Sequence, residues 1–134
     1  LSTPRGHEYR GRIAFDQDAS GVMVGTQDAS WVSRQGYWLM MQSFSPGLIL
    51  RRNDSGDGSA VVLAQNTSWT ASLNTTYDLA ITYDTSGVRG RVYDTSGNLL
   101  AQTPFVSDTT YSGGFFGWRE GGNGQAKFDM LVRY

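Results

Sequence analysis

The amino-acid sequence predicts an all-β protein, a two-sheet antiparallel β-sandwich that forms one domain over residues 1–134. Three observations support this fold class. Glycine is frequent, at 17 residues, and proline is scarce, at 3, which is typical of many tight turns between short strands. Apolar and polar residues alternate with the two-residue period of half-buried strands. About ten short runs show this period, and a sheet that large curls or splits into two packed layers.

The clearest strands form a predicted meander from Tyr77 onward, where the sequence runs YDLAITYD, TSG, VRGRVYD, TSG and NLLAQTPF. Val88, Gly90 and Val92 alternate with polar residues, so the two sets face opposite sides of a sheet. The segment YDTSG occurs twice. Because Asp and Ser hydrogen-bond the turn backbone and Gly supplies positive φ, two neighbouring hairpin turns explain this repeat better than stacked repeat units do.

The same pattern predicts the remaining strands. They are Tyr9 to Phe15, Gly21 to Gln27, Gln35 to Phe44, Gly47 to Arg52, Ala60 to Gln65, Gly114 to Glu120 and Ala126 to Tyr134. In the last strand Phe128, Met130 and Val132 fall at alternate positions, which predicts that all three side chains face the core. No internal domain boundary is visible, and the polar stretch from Asn53 to Ser59 is predicted to be a loop.

Charge and hydropathy exclude several kinds of partner. The formal net charge is −1 and the basic residues are scattered apart from Arg51 and Arg52, so nucleic acid is not an expected partner. No apolar stretch approaches the roughly 20 residues that cross a bilayer, so membrane insertion is not expected. Cysteine is absent, which excludes disulfides and thiolate metal sites. Because the chain begins at Leu1, we expect it to be one module of a larger protein with other domains.

Six segments carry a resemblance to a known family. They are Gly21 to Val24, Gly36 to Leu39, Gly47 to Arg52, Tyr77 to Ile81, Gly114 to Trp118 and Phe128 to Val132. In this order they resemble strands of the concanavalin A-like lectin and glucanase superfamily, in its laminin-G-like branch of carbohydrate-binding modules. The resemblance implies a jelly-roll sandwich that acts as a noncatalytic, lectin-like module. It implies a poly- or oligosaccharide partner and an extracellular or surface-exposed location, on a secreted protein or a virion.

Aromatic side chains are the first candidates for a sugar site. One side of a sugar ring presents C–H groups that pack on indole or phenol rings, while carboxylates, amides and guanidinium groups bind the hydroxyls. Trp31 lies in a polar connection where burial is hard to arrange, so we expect it to face a ligand. Tyr37 and Trp38 point to opposite faces of one strand, so we expect one in the core and the other available.

The resemblance adds candidates at two strand ends. It makes the arm that ends in Arg51 and Arg52 a ligand-side hairpin arm, and it places the end of the strand at Trp118 beside the sugar site. Arg119 and Glu120 follow Trp118 and either grip vicinal hydroxyls or form a solvated charge pair. Trp69 is predicted to be a core or edge-capping residue. The predicted ligand-binding set is Trp31, Tyr37, Trp38, Arg51, Trp118, Arg119 and Glu120.

Calcium is the cofactor that the sequence suggests, although none is required. Asp54 and Asp57 offer oxygen ligands at a spacing typical of calcium loops, but the bidentate glutamate and the flanking helices of an EF-hand are missing. An ordinary turn is therefore the alternative. Related sugar-binding sandwiches hold a structural calcium beside a terminal strand, which makes Asp129 a further candidate. The predicted metal set is Asp54, Asp57 and Asp129.

An enzyme is the less favoured hypothesis. Glycoside hydrolysis uses two carboxyls about 5 to 10 Å apart, and in the related glucanases both come from alternate positions of one strand. No predicted strand has that spacing, since Asp16 and Asp18 alternate at a turn. His7 is the single histidine and no G-x-S-x-G motif is present. Two alternatives stay open: a receptor-binding or structural adhesion module of a phage or cell-surface protein, and a glycan-active hydrolase or lyase.

Overall fold

The computed structural model describes residues 3–16, 19–27, 35–54, 60–121 and 126–134. These residues form ten β-strands and no helix. The strands are β1 His7–Phe15, β2 Ala19–Thr26, β3 Gly36–Gln42, β4 Leu48–Asn53, β5 Ala60–Asn66, β6 Tyr77–Asp84, β7 Gly87–Tyr93, β8 Leu99–Gln102, β9 Phe115–Gly121 and β10 Ala126–Arg133. The predicted fold class is confirmed. Within the described residues there is no helix long and apolar enough to cross a membrane.

The strands form two five-stranded antiparallel sheets. The first sheet has the order β10-β1-β6-β7-β8 and the second has the order β5-β4-β3-β2-β9. The sheets pack face to face, with β1 over β2, β6 over β2 and β3, and β7 over β4. Their inner faces bury apolar side chains completely, among them Tyr9 and Ile13 from the first sheet and Leu39 and Leu50 from the second. This core leaves one face of each sheet on the outside.

The last strand departs from its predicted alternation. β10 pairs with β1, and the register between them shifts between Gly11 and Ile13. Phe128 pairs with the buried Ile13 and packs against the core, as predicted. Beyond the shift Val132 pairs with Arg10, which alternates with buried Tyr9 and lies on the outer face. Because directly paired residues share a face, the prediction that Val132 faces the core is wrong, and the irregularity in the ladder is the reason.

Candidate functional site

The outer face of the second sheet carries a mainly apolar surface around one arginine. The strand register places Met23, Trp38 and Arg51 side by side on β2, β3 and β4, with Met40 and Ile49 paired in the next row. We call these five residues the Arg51 surface. They alternate along their strands with the fully buried residues of the core, so they point away from the first sheet.

The apolar members of the Arg51 surface form a closely packed floor. Trp38 is 4% exposed, Met40 is 7% and Ile49 is 4%, although none of them belongs to the core between the sheets. At the margin, Val62 pairs with Arg51 and is 51% exposed. The floor is thus a dense apolar layer on the outer face of the second sheet, opposite the core.

Arg51 lies partly buried on this floor with an unused hydrogen-bond donor. Its Nε is buried and has no hydrogen-bond partner, and no ion pair involves Arg51 among the described residues. By contrast, Nε of Arg12 donates to Asp78 at 2.8 Å and Nε of Arg52 donates to Asp54 at 2.9 Å. A buried donor without a partner costs about 1–3 kcal/mol. Arg51 therefore has an N–H that no acceptor in the described part of the chain satisfies.

The outer face of the first sheet is different because several of its charged side chains are paired with one another, although Arg89 is not among them. Arg12 and Asp78 form a two-bond pair at 2.8 and 3.0 Å. Arg10 donates to Glu8 at 2.6 Å and lies 4.2 Å from the centre of the Tyr93 ring. These groups already satisfy one another. Of the two outer faces, the one around Arg51 is therefore the better candidate for binding a ligand.

A second polar group, which we call the end network, closes the end of the sandwich where β3 begins and β4 ends. The Tyr37 hydroxyl and Nη1 of Arg52 donate to the two carboxylate oxygens of Asp108. Arg52 also donates through Nε to Asp54, whose Oδ1 accepts a bond from the Tyr111 hydroxyl at 2.8 Å. The acids in this network are already bound by protein donors, so we expect the network to hold the end of the fold together.

Arg5 ties the N-terminal segment to the end network. Its Nη1 donates to the carbonyl of Asp84 at 2.6 Å and its Nη2 donates to the hydroxyl of Tyr37 at 3.0 Å. Nε of Arg5 donates to the carbonyl of Tyr111 at 2.8 Å. The guanidinium also lies 4.4 Å from the centre of the Tyr83 ring. These contacts join the N-terminal segment to β3, to the end of β6 and to the segment that follows β8.

The end network fixes the protonation states of its members. Burial and the hydrogen bond to Asp108 raise the pKa of Tyr37 to about 12. The hydrogen bond from Arg52 holds the pKa of Asp54 below its usual range. Burial alone would raise the pKa of Asp108, but hydrogen bonds from Tyr37, the backbone of Thr110 and Arg52 outweigh it, and the net pKa is lowered. At neutral pH these acids are ionised and Tyr37 is protonated.

Acid is expected to destabilise the fold through Asp108 and Asp54. Their lowered pKa values mean that their contribution is complete above the unfolded pKa, about 3.9, and is lost as pH falls through the folded pKa. Urea unfolding, followed by tryptophan fluorescence from about pH 6 to about pH 2, measures this loss. The Asp108→Asn variant should lose less stability than the unaltered chain over this range. Equal losses in the two proteins would contradict the assignment.

The structure places the predicted aromatic residues as follows. Trp31 lies outside the described residues. Tyr37 is fully buried and points into the core, and Trp38, on the opposite face, is 4% exposed. The prediction that one of these two rings is available is wrong, because the apolar floor packs around the outward ring as well. Trp69 stacks edge-on against Tyr77 at 5.5 Å between ring centres and caps the core, as predicted.

The predicted residues of β9 do not form a group with Arg51. Trp118 pairs with buried Val22 and its ring centre lies 5.2 Å from that of Phe128, so it packs against the core. The backbones of Arg119 and Glu120 pair with Gly21 and Ser20, while their side chains lie outside the described part of the structure. Of the predicted set, Trp38 and Arg51 are the members that the structure brings together on an outer face.

The predicted calcium ligands are also separate. Asp54 belongs to the end network, Asp57 lies outside the described residues, and Asp129 is exposed on β10. Within the described ranges no three acids or histidines come close enough to hold a metal ion. Both oxygens of Asp54 accept hydrogen bonds from Arg52, which competes with a cation at that carboxylate. A calcium ion at Asp57 or Asp129 stays a prediction.

Sequence reasoning missed the apolar floor, although one signal for it was present. The segment Tyr37 to Met41 contains no charged residue, and every position of it is buried. Continuous apolar character is typical of a strand that is covered on both faces. The sequence contains no comparable signal for the partner-free Nε of Arg51, because the distance from this atom to every possible partner depends on how the sheets pack.

Comparisons with known proteins support the fold. No family model matches the sequence, and no curated protein matches it. Among solved structures, the carbohydrate-binding module CBM66 from Bacillus subtilis superposes with a TM-score of 0.71 at 20% identity, over 99% of this chain and 76% of that one. Toad ovary galectin in complex with N-acetylgalactose gives 0.62 at 12% identity, over 100% and 93%. The same galectin with thio-digalactose gives 0.61 at 12%, over 100% and 93%.

These likenesses establish the class of fold. The chain is a β-sandwich with the jelly-roll architecture that a carbohydrate-binding module and a galectin share. At 20% identity and below, the superpositions are evidence of common architecture.

Proposed function

We propose that this chain is a noncatalytic, lectin-like module that binds a poly- or oligosaccharide on the Arg51 surface. The observation that carries the proposal is the partly buried guanidinium of Arg51, which has no ion pair among the described residues and lies on an apolar layer beside exposed Val62. The C–H face of a sugar packs on the exposed apolar margin at Val62, and its oxygen atoms accept N–H bonds from the guanidinium of Arg51 beside it. The fold supports the proposal, because neighbouring structures are named as a carbohydrate-binding module and as galectin complexes with galactose derivatives.

The proposal also covers the superfamily and the location of the chain. We place the chain in the concanavalin A-like superfamily, in the laminin-G-like branch, and take it as an extracellular or surface-exposed module of a larger protein. The six segments described above support this assignment, since all six contain or flank strands of the sandwich. The closed acid pairs of the end network are also more consistent with a structural than with a catalytic role.

Replacing Arg51 by alanine is expected to weaken glycan binding by about tenfold to a hundredfold, since hydrogen bonds from charged groups contribute about 1.5–3 kcal/mol. A glycan array identifies a bound sugar, and isothermal titration with that sugar gives the loss. Arg89→Ala is the matched control. Arg89 also has a buried Nε without a partner, but it lies on the outer face of the first sheet, where Thr82 is its neighbour.

The outcomes of this experiment separate the hypotheses. Unchanged affinity in Arg51→Ala, or an equal loss in Arg89→Ala, would place the sugar elsewhere. No binding to any glycan, together with trimers on a sizing column, would favour the adhesion module. Release of reducing sugar from an array ligand would favour the hydrolase or lyase.

A further inference from the structure

The geometry points to an acidic glycan as the ligand, with a sugar carboxylate of the uronic or sialic acid type bound by Arg51. This inference rests on the proposed function, because it names the class of sugar that the Arg51 surface takes. It goes further than a lectin fold does, since the fold alone says nothing about the charge of the ligand. Three features of the described residues carry it.

The first feature is an uncompensated charge. Two acids at the end of the sandwich, Asp54 and Asp108, are both held by another cation, Arg52. On the opposite face, Arg12 binds Asp78 and Arg10 binds Glu8. Arg51 takes part in no ion pair among the described residues. An anion supplied by a ligand would complete at Arg51 the pairing that Arg10, Arg12 and Arg52 have within the chain.

The second feature is the donor that is free. In Arg12 and Arg52, Nε and a terminal nitrogen together bind one carboxylate, and this chain uses that edge of the guanidinium twice. The planar fork of Nε–H and one Nη–H matches the two oxygens of a carboxylate. In Arg51 the partner-free atom is Nε itself, and because this atom is covered, a carboxylate engages the fork after a shift of the guanidinium or of the side chains around it. A hydroxyl accepts one of these bonds, whereas a carboxylate accepts both.

The third feature is the low polarity around the guanidinium. The paired neighbours of Arg51 across the sheet are Trp38 and Val62, and Met23 lies beyond Trp38. Water screens a charge less effectively beside apolar groups, so an ion pair formed there is stronger than one on an open surface. A neutral sugar would leave the arginine charge without compensation in this environment. The surface therefore favours an anionic sugar over a neutral one of the same shape.

The experiment compares matched probes that differ in the carboxylate alone. Oligogalacturonate is titrated against its methyl ester, and 3′-sialyllactose is titrated against lactose, by isothermal calorimetry. At least one acid should bind about tenfold to a hundredfold more tightly than its neutral partner. This first comparison uses the unaltered protein, so it does not depend on how well a variant folds.

Variants then locate the carboxylate. Arg51→Gln should remove the preference for the acid, and Arg51→Lys should restore only part of it, because lysine keeps the charge and loses the planar fork. Arg89→Gln is the control and should keep the full preference. The circular dichroism spectrum and the melting temperature of each variant show that it is folded.

Each outcome decides the inference. A preference for the acid that disappears in Arg51→Gln and persists in Arg89→Gln supports it. Equal binding of acid and neutral probes, or tight binding of neutral glycans alone, overturns it while the proposed function stands. A preference that Arg51→Gln leaves intact overturns it as well, because the carboxylate is then bound elsewhere. No binding to either pair and to any glycan on an array overturns the proposed function and the inference together.

Discussion

Replacing Asp108 by alanine is expected to lower the free energy of unfolding by about 3 kcal/mol. The variant leaves the charge of Arg52 with fewer acceptors and leaves the hydroxyl of fully buried Tyr37 without its carboxylate partner. Removing one member of a buried hydrogen-bonded pair is costly because the other member remains desolvated. Urea denaturation followed by tryptophan fluorescence measures the difference.

Two further variants make the Asp108 result interpretable. Asp108→Asn keeps an acceptor for Tyr37 and loses the ion pair with Arg52. Its stability should therefore lie between that of the unaltered chain and that of Asp108→Ala. Asp129→Ala removes an exposed acid from β10 and should change stability by less than about 0.5 kcal/mol. If Asp108→Ala and Asp129→Ala cost the same, the end network does not stabilise the fold.

Gly21→Ala is expected to cost more stability than any other addition of a single methyl group in the second sheet. A Cβ at this position would lie 1.8 Å from the backbone oxygen of Leu39 and 2.8 Å from its carbonyl carbon. Backbone atoms of a central strand cannot rotate away, so β2 and β3 must separate. We expect a loss of about 3 kcal/mol or more, and a fall in melting temperature of about 10 °C. Differential scanning calorimetry measures both.

Gly117 on the adjacent strand β9 provides the matched control. A Cβ there would meet its nearest neighbour, the Met23 methyl group, at 3.8 Å, which is an ordinary contact. Gly117→Ala should therefore change stability by less than about 1 kcal/mol. If both alanine variants melt at the temperature of the unaltered chain, the close approach of β2 and β3 at Gly21 is not present in solution.

The candidate site was accessible to sequence reasoning only in part. Arg51 was among the predicted residues, and strand alternation correctly placed Tyr37 and Trp38 on opposite faces. Alternation could not reveal that Trp38 is covered, because its exposure depends on side chains that the sheet register brings to either side of it from β2 and β4. Nor could it reveal the end network, whose members Arg5 and Asp108 are more than one hundred residues apart.

The sequence by itself determined the sandwich, its strands and its turns, because these depend on local alternation and on turn residues such as those of the repeated YDTSG. The tertiary structure decided the register shift that turns Val132 outward and the packing that covers Trp38. It also decided which arginines are paired, since Arg12 and Arg52 bind acids while Arg51 and Arg89 each have a buried Nε without a partner. Ion pairing depends on distances of a few ångströms between groups that are far apart in the chain, and only the packed sheets fix those distances.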